Sequence, residues 1–463
     1  MSEPLHEHGA LERLRQAARQ LAQGAPLLRC GGHITEISPA VCRVKGLSRF
    51  AALGDCVEIE AGARTHVGQV VHVGADGIMV KPFDPEPDIR IGMPVWHRGP
   101  FHIRPDESWK GRVINALGEP VDGLGALPPG PRLRGVERLP PPALRRKPVG
   151  EAIPTGVRAV DIFTPVCAGQ RMGIFAGSGV GKSTFLAMLA NAAGFDTVVF
   201  ALIGERGREV REFIDEAIGE EGKKRAIGVV ATGDESPMMR RLALKTAITI
   251  AEYFRDRGEN VLLIADSITR YAHACRDILL AAGEAPVARG YPPGIFSELP
   301  RILERTGPGE EGAGAITAFL SVLVDGDDHN DPVADSIRGI LDGHIVLDRE
   351  IAEQGRYPAV NVLSSVSRLA RRAWSREQEK LVLMLRTLIA RYEDTRDLRL
   401  LGGYRPGGDE ELDRAVEWVP RIYEVLKQAP GEKEERDAFT LLAERLRGPE
   451  TAPESAANNP KNQ

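Results

Sequence analysis

Cysteine is scarce in this sequence, which has five cysteines among 463 residues and no pair in C-x-x-C spacing. An odd number cannot form a complete set of disulfides, and a structural zinc site usually takes its thiolates from closely spaced pairs. The sequence therefore disfavours disulfide-linked and zinc-organised folds. We expect free, buried thiols in a reducing cytoplasm at Cys30, Cys42, Cys56, Cys167 and Cys275.

Long hydrophobic runs and a charge excess of one sign are also missing. The longest apolar runs, residues 184–195 and 315–324, are shorter than the roughly 20 residues that span a bilayer. The N-terminal residues carry charges of both signs and lack the apolar core of a signal peptide. The net charge is −5, from 60 basic and 65 acidic residues, which argues against a sequence-independent nucleic-acid binder. These absences predict a cytoplasmic protein with no transmembrane segment and no nucleic-acid partner.

The residues that are present predict a globular protein of several domains, with 42% hydrophobic and 27% charged residues. Residues 1–25 contain an amphipathic helix, whose apolar face is formed by Leu11, Leu14, Ala18 and Leu21. Residues 26–105 show short period-two runs between turn residues and predict a small β-barrel. Residues 106–154 become dense in proline from residue 126 onward, which predicts an extended connector.

The rest of the chain predicts an α/β domain followed by helices. Residues 155–363 alternate helical patterns with nearly continuous apolar runs, as parallel strands buried on both faces require. These runs are MGIFA, TVVFALI, IGVVAT, NVLLIAD and ITAFLSVLV. Residues 364–447 keep apolar side chains at helical spacing and predict a helical domain. Residues 448–463 have no core-forming side chains and predict a disordered tail.

The clearest local motif is AGSGVGKS at residues 176–183, which lies between a predicted strand and a predicted helix. Glycines allow backbone N–H groups to surround phosphate oxygens, and the helix N-terminus adds partial positive charge. Lys182 would reach the β and γ phosphates, and the Ser183 hydroxyl would bind Mg²⁺. The motif departs from the strict P-loop pattern at its first position, which is Ala176. It predicts an ATP site formed by Gly177, Ser178, Gly179, Val180, Gly181, Lys182, Ser183 and Thr184.

Two acidic positions are candidates for the rest of the site. Asp266 ends the apolar run NVLLIAD, where a carboxylate would hold Mg²⁺ through water. Glu205 is the first acid after the run TVVFALI, one glycine beyond its end, and catalytic loops lie at the carboxyl ends of parallel strands. A carboxylate there could orient the attacking water. The spacing alone does not separate Glu205 from Glu209, and it leaves a salt-bridged surface loop open as an alternative.

Several longer segments resemble the type III export ATPases, which are similar to the catalytic subunit of F-type ATP synthase. Besides the P-loop, the segments are GERGREVREF, VLLIADSITRYA, PPGIFSELPRILER, ITAFLSVLVDGDDHNDPVAD, ILDGHIVLDR and YPAVNVLSSVSR. They occur in the family's order, and the resemblance covers roughly residues 30 to 440. It implies a RecA-like P-loop ATPase core with an N-terminal β-barrel domain and a C-terminal helical domain.

The resemblance also implies roles for individual residues. Glu205 would polarise the attacking water, and Arg206 would contact the phosphate region. Tyr357, in the segment YPAV, would stack on adenine. Arg368, which ends the segment SVSR, would reach into a neighbouring subunit as an arginine finger. Because one chain carries both Glu205 and Arg368, a homo-oligomeric ring with an ATP site at each interface is expected, and by resemblance this ring is a hexamer.

The segment after residues 400–403 places the chain in the export branch. It reads YRPGGD where the F-type catalytic subunit has an acidic motif, and the P-loop resembles flagellar rather than injectisome members. The expected function is MgATP hydrolysis that energises export of flagellar proteins, with the injectisome (virulence) ATPases as the alternative. An ATP synthase subunit, a hexameric RNA translocase and a catalytically silent scaffold are less favoured. The last would lack a catalytic residue, and the translocase would need a basic pore and an aromatic barrel.

The resemblance implies a set of partners as well. A stator-like regulatory protein would bind the N-terminal helix, and a central stalk protein would contact the acidic loop at residues 325–331 in the pore. The export gate, chaperones and cargo would be further partners. The ATPase would then dock from the cytoplasm at the inner face of the membrane export apparatus.

Overall fold

The computed structural model describes residue 15 and residues 29–324, 331–432 and 436–447. They belong to two compact units, Met1–Phe101 and His102–Gln463. The predicted N-terminal helix (apart from residue 15), residues 325–330 of the acidic loop and the predicted tail lie outside the described residues. Of the helices in the described ranges, none combines the length and the apolar character needed to cross a membrane.

The first unit contains a closed six-stranded barrel, as the period-two pattern predicted. Its strands are β1 Gly31–Ile37, β2 Cys42–Lys45, β3 Cys56–Ala61, β4 Arg64–Gly74, β5 Gly77–Pro82 and β6 Pro94–Gly99. They pair in the order β1-β2-β5-β4-β3-β6, and every pair is antiparallel. Alternate apolar side chains, such as Val57 and Ile59 of β3, fill the interior and are fully buried.

The second unit is built on a nine-stranded sheet. The strands of this unit are β7 His102–Ile103, β8 Val113–Asn115, β9 Arg134–Gly135, β10 Ala152–Ile153, β11 Val166–Cys167, β12 Arg171–Ala176, β13 Thr197–Ile203, β14 Ala226–Ala231, β15 Asn260–Asp266, β16 Gly307–Pro308, β17 Ala315–Leu323, β18 Gly343–Leu347 and β19 Val366–Ser367. The sheet order is β19-β18-β12-β17-β15-β13-β14-β8, with β16 paired to β17. Its central pairs are parallel, and β13 and β14 are buried along their whole length, as their continuous apolar runs predicted.

The helices cover the sheet and form the end of the chain. They are α1 Arg158–Phe163, α2 Lys182–Ala190, α3 Gly207–Glu212, α4 Gly219–Lys223, α5 Pro237–Arg255, α6 Ile268–Ala281, α7 Pro293–Leu303, α8 Pro332–Ile340, α9 Arg349–Glu353, α10 Ala370–Ala373, α11 Arg376–Asp394, α12 Arg396–Leu400, α13 Glu410–Leu426 and α14 Ala438–Arg447. A π-helical turn, Phe213–Ala217, separates α3 from α4. In α11 and α13 the buried positions recur at helical spacing, as expected for the C-terminal helical domain.

Buried charges tie the connector to this second unit. Glu137 forms an ion pair with Lys245 at 2.6 Å, and Lys245 also pairs with Glu298 at 2.9 Å. The guanidinium of Arg305, which is 1% exposed, donates to the carbonyl of Val136 at 2.6 Å. Because buried cations need compensating partners, these contacts fix the backbone just after β9 against α5 and the end of α7. The connector also supplies β8, an edge strand of the main sheet that was not predicted from the sequence.

Candidate nucleotide-binding site

The P-loop follows a central strand of the sheet and opens α2. β12 lies between β17 and β18 and ends at Ala176, and residues 177–181 connect it to the helix. Gly179 and Gly181 have φ values of +80° and +84°, a backbone conformation that favours glycine. Ala176 is still part of the strand and has no positive φ, so the glycine missing from the motif is not required there. The loop therefore presents the N-terminus of α2 as an anion-binding end.

Lys182, the first residue of α2, lies between two carboxylates. Its ammonium group forms an ion pair with Asp266, and it lies 3.6 Å from Oε1 of Glu205. Asp266 ends β15, Glu205 follows β13, and these two strands are neighbours in the sheet. Ser321 of β17 donates a hydrogen bond to Asp266 at 2.9 Å. The structure thus brings three predicted residues together at the carboxyl ends of the strands, where ligands bind in α/β sheets.

Glu205 is a buried acid of this cluster with a raised pKa. It is 7% exposed, and burial raises its pKa to about 7. The negative charge of Asp266 acts in the same direction, while Lys182 and Arg270 oppose it. Its Oε1 is buried and has no hydrogen-bond partner among the described residues. A carboxylate oxygen that lacks a hydrogen bond and lies next to a phosphate-binding lysine has the properties expected of a group that accepts a proton from water.

Glu205 and Glu209 differ in burial and in the cations that they contact. Glu209 is 43% exposed at its side chain and forms an ion pair with Arg206 at 3.8 Å. Its proximity to Glu205 also contributes to the raised pKa of that residue. The Arg206 side chain is 84% exposed. Among Glu205, Glu209 and Arg206, only Glu205 forms an ion pair with Lys182 in the described part of the chain.

Tyr357 lies beside the P-loop. A Cβ placed on Gly181 would be 3.3 Å from a carbon of the Tyr357 ring, so the absence of a side chain there leaves room for the tyrosine. The tyrosine is 46% exposed, and its carbonyl accepts a hydrogen bond from the Gln428 backbone at 2.9 Å. An anchored, half-exposed ring at the edge of the loop has the position that a base-stacking residue requires.

Arg368 lies away from the P-loop of its own chain. It directly follows β19, in which Ser367 pairs with Gly343 at the start of β18. The P-loop follows Ala176, which pairs with Leu347 at the other end of β18. Arg368 therefore lies at the end of the strands opposite the P-loop. Its side chain is exposed there and donates a long hydrogen bond, 3.4 Å, to the carbonyl of Arg338.

Two residues that contact Glu205 and Asp266 were not predicted from the sequence. Arg270 donates to the carbonyl of Gly204 and to Oε2 of Glu205 at 3.3 Å. It lies four residues after Asp266, in the first turn of α6, so its spacing from the strand-ending aspartate was the available signal. Ser321 was visible only as a polar residue within an apolar strand, because the sequence did not reveal that β17 lies next to β15.

The donor atoms near the P-loop fit a hard divalent cation. Mg²⁺ prefers oxygen ligands and usually combines one or two protein oxygens with phosphate oxygens and water. Ser183 is exposed in the first turn of α2, and the carboxylate of Asp266 lies beside Lys182. These are the two predicted metal-side residues, and both supply oxygen.

Comparison with known proteins extends over most of the chain. The nucleotide-binding domain of the ATP synthase alpha/beta family matches residues 156–367, and the C-terminal domain of the type III secretion ATPase EscN matches residues 374–442. A flagellum-specific ATP synthase of Rhizobium meliloti is 60% identical over 417 residues, or 90% of this chain and 89% of the relative. The SPI-2 type 3 secretion system ATPase of Salmonella typhimurium is 46% identical over 381 residues, or 82% and 86%.

Solved structures give the same result. The assembled ATPase EscN from the type III secretion system of enteropathogenic E. coli has a TM-score of 0.83 and 38% identity, covering 90% of this chain and all of that one. Assembled EscN in complex with its central stalk EscO has a TM-score of 0.81 and 37% identity, covering 90% and 99%. The expected fold class, a RecA-like core with an N-terminal barrel and C-terminal helices, is confirmed. The chain therefore belongs to the family of ATP-hydrolysing flagellum-specific and type III secretion ATPases.

Proposed function

We propose that this chain hydrolyses MgATP at subunit interfaces to energise the export of flagellar proteins. The observation that carries the proposal is the convergence of Lys182, Glu205 and Asp266 on the P-loop. Flagellar export is favoured because identity to the R. meliloti flagellar relative is 60%, against 46% for the SPI-2 ATPase and 38% for EscN. The injectisome role is the alternative. Restored motility in a bacterium that lacks its flagellar ATPase would separate the two.

In the proposed mechanism, the N-terminus of α2 and the P-loop backbone bind the phosphates. Lys182 exchanges its carboxylate partners for the β and γ phosphates, where its charge counters that of the transferring group. Ser183, and Asp266 through water, would hold Mg²⁺, which would neutralise phosphate charge. Glu205 orients the attacking water through Oε1, which has no hydrogen-bond partner in the described chain, and Arg206, at the start of α3, contacts the phosphate region.

We further propose that the chains form a homomeric ring, a hexamer by family resemblance, in which Arg368 completes the site of the neighbouring subunit. Two observations support this. Arg368 is exposed at the end of the strands opposite its own P-loop. The related EscN was solved as an assembled ATPase. An arginine supplied by a neighbour is a common source of transition-state charge in nucleotide hydrolysis.

The assembly proposal is tested by the dependence of turnover on protein concentration, with particle mass measured in parallel. The ATPase rate per chain should rise in step with the mass of the ring, since isolated chains lack the neighbour's arginine. A rate per chain that stays constant while the mass changes would contradict shared sites. Turnover stimulated by RNA would favour a translocase, and no turnover at any mass would favour a silent scaffold.

Tyr357 is proposed to stack on the adenine base. Tyr357→Ala should weaken ADP binding by about 5- to 150-fold, because stacking of a base on an aromatic ring contributes about 1–3 kcal/mol. Tyr357→Phe keeps the ring and should bind as the unaltered chain does. Calorimetric titration with ADP measures both. Equal affinity of the alanine and phenylalanine variants would exclude stacking.

The partners are proposed by the same family relationship. EscN is solved in complex with its central stalk EscO, and we propose a stalk protein for this chain as well. The export gate, chaperones and cargo are proposed as further partners, with the ATPase docking from the cytoplasm at the membrane export apparatus. A stator-like regulator is proposed to bind the helix in residues 1–25.

The N-terminal helix can be tested without disturbing the ATPase core. Deletion of residues 1–22 should abolish co-purification of the regulator, because it removes Leu11, Leu14, Ala18 and Leu21, the apolar face of the predicted helix. The thermal unfolding midpoint of the remaining chain should stay within a few degrees of the full chain. Full-strength binding of the regulator to the truncated chain would assign its site elsewhere.

A further inference from the structure

A buried hydroxyl interrupts the apolar side chains of the central strand β17. Ser321 is fully buried, and Phe319, two residues earlier on the same face, belongs to the main hydrophobic core. A hydroxyl without a hydrogen-bond partner is unfavourable in such surroundings, so a serine at this position needs a specific partner. That partner is the carboxylate of Asp266, to which Ser321 donates a hydrogen bond of 2.9 Å.

The strand pairing of the sheet brings these two residues together. β17 lies between β12, which leads into the P-loop, and β15, which ends at Asp266. Ile264 of β15 pairs with Phe319 of β17 in parallel register. Because successive side chains alternate between the two faces of a sheet, Asp266 and Ser321, each two residues further along, lie on the same face. The hydrogen bond is therefore fixed by the register of two central strands and not by the conformation of a loop.

The carboxylate of Asp266 has two side-chain partners in the part of the chain that the structure describes. Nζ of Lys182 and Oγ of Ser321 both contact the same oxygen, Oδ1. In the proposed mechanism, Lys182 exchanges this carboxylate for the phosphates of the nucleotide. Ser321 is then the partner that still holds the carboxylate when the nucleotide is bound.

We infer that Ser321 is a positioning residue, which fixes the orientation of the Asp266 carboxylate and thereby raises the affinity of the site for nucleotide together with Mg²⁺. The inference rests on the proposed role of Asp266 in holding Mg²⁺. Without this donor the carboxylate is free to rotate, and a ligand set that must first be ordered binds a cation less tightly. Loss of a group that hydrogen-bonds to a metal-side carboxylate typically lowers metal affinity by about 10- to 100-fold.

Calorimetric titration of the full chain with ADP, once with Mg²⁺ and once with EDTA, measures how much the cation strengthens binding. Ser321→Ala should leave the affinity for metal-free ADP unchanged and lower the ratio of the two affinities by about tenfold. Ser321→Thr keeps a hydroxyl and should retain most of the ratio. Ser321→Cys keeps a side chain of similar size but is a weak donor, so it should behave as the alanine variant does. An unchanged ratio in the alanine and cysteine variants would overturn the inference.

Thr317→Val is the matched control for a general effect on β17. Thr317 lies on the same face of the strand, four residues before Ser321, and is 1% exposed. Its hydroxyl accepts a hydrogen bond from the Gly169 backbone at 2.9 Å, so this variant also removes a buried hydroxyl and its hydrogen bond. It should lower the thermal unfolding midpoint but leave the Mg²⁺ ratio unchanged. A ratio lowered as far as in Ser321→Ala would assign the effect to the packing of β17 and overturn the inference.

Asp266→Asn distinguishes failure of this inference from failure of the proposed function. The variant should lose most of the Mg²⁺ effect on ADP binding, because it removes the charge of the carboxylate. If it does so while Ser321→Ala keeps the effect, the metal role of Asp266 stands and the inference about Ser321 is wrong. If Asp266→Asn keeps the full effect, the proposed metal role of Asp266 is wrong, and the positioning role of Ser321 is lost with it.

Discussion

Glu205→Gln is expected to lower ATPase turnover by about 10²–10⁴-fold while leaving MgATP binding nearly unchanged. Glutamine keeps the shape of the side chain but lacks the negative charge that would orient and polarise water. The phosphate contacts come from the P-loop and Lys182, which the substitution leaves in place. Steady-state turnover and calorimetric titration with MgATP measure the two quantities separately.

Glu209→Gln is the matched control for this prediction. Glu209 is 43% exposed and pairs with Arg206, so its neutralisation should leave turnover within a few-fold of normal. If the Glu209 variant lost turnover and the Glu205 variant kept it, the catalytic role would pass to Glu209. Loss of MgATP binding in Glu205→Gln would indicate a structural defect instead.

The same variant also tests the environment of Glu205. Folding raises the pKa of this carboxyl from 4.5 to about 7, so between these values the folded chain binds a proton that the unfolded chain does not. The free energy of unfolding therefore falls as pH rises, by up to about 3 kcal/mol for this group. Glutamine has no such dependence. The unfolding midpoint of Glu205→Gln relative to the unaltered chain should accordingly rise between pH 5 and pH 8.

Mixing two inactive chains is expected to restore ATPase activity. Lys182→Ala damages the site of its own chain, whereas Arg368→Ala damages the site of the neighbour, provided that Arg368 acts in trans. In rings assembled from equal amounts, about a quarter of the interfaces combine an intact P-loop with an intact arginine. Since such an arginine contributes about 10³-fold or more to the rate, the mixture should far exceed either parent.

A second mixture controls for the exchange of chains. Lys182→Ala combined with Glu205→Gln should recover nothing, because both residues belong to the same site of one chain. Native mass spectrometry verifies that mixed rings form. Verified mixed rings of Lys182→Ala and Arg368→Ala that remain inactive would remove the trans role of Arg368. The argument for shared interface sites would then be lost.

The sequence predicted the local elements better than their arrangement. The apolar runs of β12, β13 and β15 were recognisable because a strand buried on both faces requires continuous apolar side chains. The P-loop was recognisable because its chemistry requires glycines at fixed positions. The order of strands in the sheet, by contrast, depends on contacts between distant segments, and β8 from the connector was not foreseen.

The candidate site shows the same division. Lys182 and Asp266 were predicted from motifs at strand ends, and the structure places them in contact. The choice between Glu205 and Glu209 needed the structure, because it depends on burial and on distance to Lys182 rather than on spacing. Arg270 escaped notice because its role follows from the packing of α6 against the loop after β13.

The buried charges of the connector decide how this chain can be divided into fragments. Val136 and Glu137 lie before residue 155, where the sequence places the start of the ATPase domain. A fragment that begins there lacks one carboxylate partner of Lys245, which is 3% exposed, and the carbonyl that binds Arg305. Removal of one partner from a buried ion pair costs up to about 3–5 kcal/mol. A stable catalytic fragment must therefore begin before Val136, and this part of the connector belongs to the enzyme's folding unit.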